Sequence, residues 1–517
     1  MKKIVVCSFI SVFIFITACN TSRQSASTTD NGIISITLVQ INDVYEIAPL
    51  NGGKAGGMAR VASLKKTILS ENPNTLMLIA GDFLSPSVYN SLKYEGSRIR
   101  GKQMVEAMNA AGVDLAVFGN HEFDIPEADL QSRINESNFT WISSNTFQKK
   151  AEGLLPFVKH QASGDAAFPQ TYILQMKDAD GTTAKIGFIG LTLPFNKAGY
   201  VGYTDAFATA QKLYDQLKDS CEAVVAITHQ SMDDDIKLAR QIPGLALIIG
   251  GHEHERHYAK IGQVYITKAD ANAKSAYMIK LTINKNRHMR KAEASLIDIN
   301  ESIAIDSATD VVVKKWSAIA NKSYASLGFD ATKICMQSGE PLDGREAYIR
   351  TTKTNFTSLI VTAMEKASPA ADLVIINSGS VRVDDILQMP VTQYDVIRSL
   401  PFGGSIMEVD MKGSLLIQIL NAGKKNVGAG GFLQYSQTVT NDSVAGTWAL
   451  QDKRIEADNV YKVAITDFLM TGGEANMDFL TAKNPDVVKV YPVFTALNDP
   501  RSDVRRAIIN FMEGLSK

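Results

Sequence analysis

The chain has 517 residues, enough for two or three domains, each able to bury its own core. Its 45% hydrophobic and 21% charged residues, with 36 Gly and 15 Pro, exclude a disordered chain, a collagen and a coiled coil. Lys+Arg 53 against Asp+Glu 54 leave a net charge of −1, which excludes the broad basic field that a nucleic-acid duplex requires. The first element is short: Met1-Lys2-Lys3 is basic, and residues 4–16 are almost continuously apolar, broken by Ser8 and Ser11. That run suits the apolar stretch of a signal peptide over residues 1–18 better than a membrane span.

It ends in Ile16-Thr17-Ala18-Cys19, which resembles a bacterial lipobox. In that reading Cys19 becomes the lipidated first residue of an extracytoplasmic chain, in the periplasm or at the cell surface; a plain cleavable signal peptide is the competing reading. Residues 19–32 are polar and Ser/Thr-rich, as a flexible tether would be. This lipid anchor is the expected membrane contact. Of the four cysteines, only Cys221 and Cys335 remain beyond Cys19. They read as two separate buried thiols, with a disulfide between them as the alternative in an oxidising compartment.

From residue 33 to about 300, short aliphatic runs end in polar or Gly-rich residues. They are 34–41 (ISITLVQI), 76–80 (LMLIA), 115–118 (LAVF), 186–190 (IGFIG), 223–227 (AVVAI), 246–249 (ALII) and 264–267 (VYIT). Stretches with helical spacing, such as 58–69 and 101–111, lie between several of them. Buried strands alternating with helices indicate an α/β layer architecture. Residues 307–326 place Val312, Trp316 and Ile319 on one helical face and predict a linker helix over 306–327. The division that follows is 33–305 and 328–517, the second with its own strand at 373–376 and Gly-rich turns at 403–404, 428–431 and 472–473.

Chemistry is concentrated where the strands end. The first runs into Asn42-Asp43-Val44-Tyr45-Glu46, the second into Gly81-Asp82, and the third into Gly119-Asn120-His121-Glu122-Phe123-Asp124. Two more run into Thr228-His229 and into Gly250-Gly251-His252-Glu253-His254. Carboxyl ends of strands are where α/β sheets build their sites. Of seven histidines in the chain, His160, His257 and His288 lie in polar segments and read as surface residues.

The ordered set of an Asp, GD, GNHE, His and GHxH resembles the signature of calcineurin-like metallophosphoesterases. The longer pattern INDVYE, GGMAR, GDFLSPS, GNHEFD and GGHEH, followed by a second domain, is similar to the bacterial 5′-nucleotidase family over about residues 33–480. That family includes UDP-sugar hydrolases and 2′,3′-cyclic nucleotide phosphodiesterases. The resemblance implies an N-terminal four-layer α/β/β/α metallophosphoesterase sandwich and a second α/β substrate-binding domain. It also implies two divalent metal ions (Zn, Mn, Fe or Co), with Asp82 bridging them. Asp43 and His254 would complete one site; Asn120, His229 and His252 would complete the other. Two cations about 4 Å apart share a carboxylate, lower the pKa of a bridging water and clamp phosphoryl oxygens. By the same resemblance His121 assists catalysis with Asp124 holding its ring, and Asn120 stabilises charge. The other reading makes Asp124 a cap for a helix starting near Pro126. The family carries His where this chain has Tyr45, which leaves three outcomes: Tyr45 ligates, Tyr45 lines the site, or the first metal is weak. The favoured one is that Tyr45 lines the site.

In the second half, Arg350, Asn377 and Arg382 form a polar set suited to phosphates, sugar hydroxyls or a base edge. Phe432 and Phe468 lie beside Gly-rich backbone, where two π-faces can sandwich a base at about 1–3 kcal/mol per contact. The bland alternative makes both core residues. The resemblance assigns Phe432 and Phe468 to the base and Glu474 to the ribose. The expected activity is hydrolysis of nucleoside 5′-monophosphates to nucleoside and phosphate. Alternatives are hydrolysis of 2′,3′-cyclic nucleotides, UDP-sugars or another small organic phosphate, or a catalytically weak nucleotide-binding lipoprotein.

Overall fold

The computed structural model describes residues 29–194 and 198–515. The expected signal peptide, the lipid-anchor residue Cys19 and most of the expected tether lie outside the described residues. The end of that tether is not loose: the Asn31 amide donates to Asp180 Oδ2 at 3.3 Å, and Thr182 Oγ1 bonds to Asp30. No helix among the described residues is long and apolar enough to cross a membrane.

In the N-terminal half, side-chain alternation along the strands builds the layers. In strand Ile33–Ile41, Ile34, Ile36 and Leu38 point to one side and Val39 and Ile41 to the other. The first set meets Phe188, Val225, Ile227, Leu247 and Ile249 in the space between two sheets. Val39 and Ile41 join the cluster under helices Met58–Glu71, Lys102–Ala111 and Ser307–Ser326. On the far sheet, Val224, Ala226 and Ile248 face helices Ala206–Leu217 and Met232–Gln241. The result is the four-layer α/β/β/α sandwich.

Both sheets are six-stranded. Across the first run Met289–Asp298, Ser275–Asn284, Ile33–Ile41, Thr75–Ala80, Leu115–Val117 and Thr140–Ile142. Across the second run Thr171–Lys177, Thr183–Thr192, Ala223–His229, Leu247–Gly251, Val264–Lys268 and His257–Ile261. Parallel register brings the carboxyl ends of the site-bearing strands into line. Ile41 stands opposite Ile79, Ala80 opposite Val117, and His229 opposite Gly251.

Helix Ser307–Ser326 buries Thr309, Val313, Trp316, Ala320 and Tyr324. The predicted face is therefore rotated, with Val312 and Ile319 only half-buried and Val311 exposed. The C-terminal half is a five-stranded sheet in the order Leu433–Tyr435, Leu373–Asn377, Val460–Thr466, Ile406–Lys412, Val487–Val490. Helices Asn355–Ala367 and Val504–Leu515 pack against one face and Gly413–Lys425 against the other. The first of these helices starts at a capping box, in which Thr354 and Thr357 each bond the other's backbone amide. Cys221 is half-buried rather than buried, and no disulfide links it to Cys335, whose thiol donates to the Val391 carbonyl at 3.3 Å.

Candidate metal centre

Asp43, Asp82, Asn120 and His229 converge at the strand ends with 0–1% of their surface exposed. Ligand atoms of Asp43, Asp82 and His229 all lie within 4.8 Å of one another. Three of the predicted ligands sit in left-handed backbone: Asp43 at φ 53°, Asp82 at φ 53° and His252 at φ 87°. Such strain in non-glycine residues persists only where surrounding structure over-determines it, and it clusters at functional sites.

The surroundings do over-determine it. Asn42 Nδ2 donates to Asp43 Oδ2 at 2.7 Å and to the Ala269 carbonyl at 2.9 Å. The His252 amide donates to Asp43 Oδ2 at 3.0 Å, and the His121 amide to Asp82 Oδ1 at 2.7 Å. Glu122, fully buried, accepts the amides of Asp82, Phe83, Leu84 and Gly119 at 2.6–3.0 Å, tying two strand ends together. Burial and the neighbouring Asp82 push its carboxyl up to about 7. Two glycines are required by close approach: a Cβ on Gly119 would come within 2.1 Å of Asp82 Oδ1, and one on Gly251 within 2.2 Å of the Ala80 carbonyl.

Behind the histidines lies Lys268, fully buried. Its Nζ donates to the carbonyls of Gln230 at 2.6 Å and Gly251 at 2.8 Å, each one residue from a predicted ligand, and pairs with Asp235 at 3.0 Å. His229 Nδ1 bonds the Ala80 carbonyl at 2.8 Å, which fixes the tautomer and aims Nε2 at the carboxylates. Burial and the adjacent His229 push His252 down to about 4, keeping its ring neutral, the form that ligates a cation.

These residues fit a cation centre on two counts. Asn120 Oδ1 is buried without a hydrogen-bond partner, and His229 Nε2 lies 3.0 Å from Asp82 Oδ2 without an aligned bond. Two buried carboxylates facing orphaned imidazole and amide donor atoms need a shared positive charge. The donor set is oxygen and nitrogen with no thiolate, which suits Zn, Mn, Fe or Co.

His254 completes the predicted set from the outer side. Its Nε2 is 3.0 Å from the Tyr45 hydroxyl and 3.7 Å from Asp43 Oδ1. Tyr45 itself is buried, with its hydroxyl 3.4 Å from Asp82 Oδ2. Burial and Asp82 raise its pKa well above the usual phenol value, so it stands there as a neutral O–H. His121 Nδ1 bonds Asp124 Oδ2 at 2.6 Å. Burial disfavours the imidazolium, but Asp82 and Asp124 outweigh it and raise the His121 pKa. Asp124 does not cap helix Glu127–Glu136, which starts after Pro126 with no side-chain cap.

The C-terminal half brings part of the predicted substrate set together. Asn377 Nδ2 donates to Glu474 Oε2 at 2.7 Å, and the Gly379 amide to the Gly430 carbonyl at 2.7 Å. Arg382 lines a small cavity together with Tyr45 and His254, between the metal centre and the second domain. Arg350 pairs with Glu346 and lines a cleft of about 850 Å³ that also reaches His252 and His254. Another groove, of about 870 Å³, lies at the opposite, amino end of the strands beside Cys221 and contains none of these groups.

The two predicted base-stacking residues differ in setting. Phe468 is 45% exposed, with its ring edge against Gly473. Phe432 is half-buried, and its backbone carbonyl holds the Ser378 amide at 2.8 Å. Phe402, not singled out from the sequence, is 72% exposed. Its turn abuts that of Phe468: Ser405 and Asp467 exchange hydrogen bonds at 3.0 Å. The available signal was the Gly403-Gly404 pair after a phenylalanine. Glu122 and Lys268 were also missed.

Residues 36–256 match the calcineurin-like phosphoesterase family, and residues 334–482 match the 5′-nucleotidase C-terminal domain. The trifunctional nucleotide phosphoesterase protein YfkN of Bacillus subtilis is 24% identical over 90% of this chain, which spans 34% of that longer protein. A 5′-nucleotidase of Vibrio vulnificus is 26% identical, over 82% of this chain and 81% of its own length. The structure of a 5′-nucleotidase precursor from Thermus thermophilus superposes with a TM-score of 0.63 at 21% identity, covering 93% of this chain and 97% of that one. That likeness extends through both halves of the fold.

Proposed function

The chain belongs to the calcineurin-like phosphoesterases that carry a 5′-nucleotidase C-terminal domain, and on that footing we propose that it hydrolyses nucleoside 5′-monophosphates to nucleoside and phosphate. The observation that supports this most is the orphaned, buried Asn120 Oδ1 beside Asp82 and His229, one residue from the His121–Asp124 pair. Two divalent cations would be held with Asp82 between them, by Asp43 and His254 on one side and by Asn120, His229 and His252 on the other. When bound, they supply Lewis acidity toward phosphoryl oxygens and acidify water at neutral pH. Tyr45 lines this site as a neutral phenol.

The chain's own residues do the rest. Arg382 and Arg350 offset phosphate charge and orient the ester between the halves. Water oxygen forms the new bond to phosphorus as the ester P–O bond breaks in line with it. Asp124 fixes the His121 ring through Nδ1, and protonated His121 delivers a proton to the departing ribose oxygen. In this reading Asn377 and Glu474 take the ribose hydroxyls and the exposed rings of Phe402 and Phe468 take the base, with Phe432 supporting the turn. The extracytoplasmic setting follows from the proposed lipidation of Cys19, for which loss of membrane association in Cys19→Ser is the test.

The deciding experiment is a panel of 5′-nucleoside monophosphates, 3′-monophosphates, 2′,3′-cyclic monophosphates and UDP-glucose on Mn²⁺- or Zn²⁺-loaded protein. Phosphate release fastest from 5′-monophosphates is expected. Adenosine binding without phosphate release from any ester would refute the reading.

A further inference from the structure

His254 lies at the metal centre, yet both partners of its Nδ1 belong to the other half of the chain. That nitrogen is 3.0 Å from Asp384 Oδ2 and 3.0 Å from the Asp384 carbonyl, while Nε2 faces Tyr45 and Asp43. A carboxylate behind a ligating imidazole orients the ring and strengthens it as a donor. Here that carboxylate is 130 residues away in sequence, across the junction.

Asp384 is built for the task. Its backbone is left-handed at φ 38°, and its Oδ1 accepts the Glu346 amide at 2.5 Å. Contacts on either side dock the two halves at this point. Lys274 meets both oxygens of Asp385 at 2.6 Å, and Arg345 pairs with Glu255, next to His254, at 2.7 Å. Asn272, two residues before Lys274, donates its amide to the Asp43 carbonyl at 2.8 Å. The docking surface and the ligand loop are therefore one structure.

We infer that Asp384 is a positioning residue for His254, supplied across the domain junction, so that the cation site of Asp43 and His254 is complete only when the halves are docked. Reciprocity follows: a cation held there favours docking by the same factor by which docking favours the cation. The cleft lined by His252, His254, Arg350 and Asp384 then opens at the expense of one metal site and not the other. The inference rests on the two-cation reading of the centre.

The test uses the full chain, stripped by chelation and titrated with Mn²⁺ by calorimetry. Wild type should bind two ions. Asp384→Ala, and separately the docking variant Lys274→Ala/Arg345→Ala, should weaken one of them about 10- to 100-fold and leave the other unchanged. Asp384→Asn keeps an acceptor for Nδ1 and should restore most of the lost affinity. Hydrogen exchange at residues 343–346 and 384–387 should slow on Zn²⁺ addition in wild type and not in Asp384→Ala or His254→Ala. Equal weakening of both ions, no weakening of either, or exchange indifferent to Zn²⁺ in wild type would overturn the inference. Fewer than two ions bound by wild type would instead overturn the two-cation reading beneath it.

Discussion

Replacing Glu46 by Gln should raise stability in alkaline solution and change it little in mild acid. Glu46 is 4% exposed, just past the Asp43–Tyr45 turn, and accepts the Tyr394 hydroxyl from the C-terminal half. Burial pushes its carboxyl up from 4.5 to about 7, against the opposing pull of Tyr394 and Arg398. In the unfolded chain the acid ionises near its ordinary value, so between 4.5 and 7 the folded state binds the extra proton. Stability from this group is therefore full below 4.5 and falls as pH rises through 7. At 1.36 kcal/mol per pH unit the loss reaches about 3 kcal/mol above neutrality. Gln copies the protonated form and does not titrate. The gap in thermal midpoint between Glu46→Gln and wild type should thus be small at pH 5 and several degrees at pH 8. Taking the difference between the proteins at each pH cancels every group they share, the metal-centre carboxylates included. A gap of the same size at both pH values would show that Glu46 is solvated or compensated, and the burial argument would fail.

His121→Ala should lower turnover about 10²- to 10⁴-fold with the fold retained by circular dichroism; unchanged turnover removes His121 from the reaction. Phe402→Ala and Phe468→Ala should each raise KM for adenosine monophosphate by the loss of about 1–3 kcal/mol of stacking. KM for p-nitrophenyl phosphate, which has no nucleobase, should not move; equal effects on both substrates would argue against base stacking. Phe118, buried among Phe123, Trp141, Phe157 and Phe168, should cost about 3–5 kcal/mol when cut to Ala, read by denaturant unfolding.

The sandwich and the grouping of Asp43, Asp82 and His229 were legible because each depends on local signals that agree. Apolar runs such as ISITLVQI can be buried on both faces only as inner strands, and every one that matters ends in Asp, Asn or His. Parallel pairing then lines those ends up without further information. What escaped was of another kind. Three consecutive valines at 311–313 leave the buried face of helix Ser307–Ser326 undecided, since neighbours are about 100° apart and packing alone selects Val313. Lys268 sits in a strand and would ordinarily be assigned to solvent; the carbonyls of Gln230 and Gly251 and the carboxylates of Asp235 and Glu253 together make its burial tolerable. Phe402 carries the Gly403-Gly404 signal, but a glycine pair beside a phenylalanine does not by itself separate an exposed ring from a core one. Asp384 finds its partner across the domain junction, and no periodicity reports that distance.

Gly119 gives the site a mark that can be read in relatives. Its missing side chain is the space that Asp82 Oδ1 occupies, 2.1 Å from where a Cβ would be. A chain that kept every aspartate and histidine but had alanine here would retain the donors and displace the Asp82 carboxylate from the place it holds. Alanine at this position in a relative is therefore expected to mark a chain that keeps the donor residues without this arrangement.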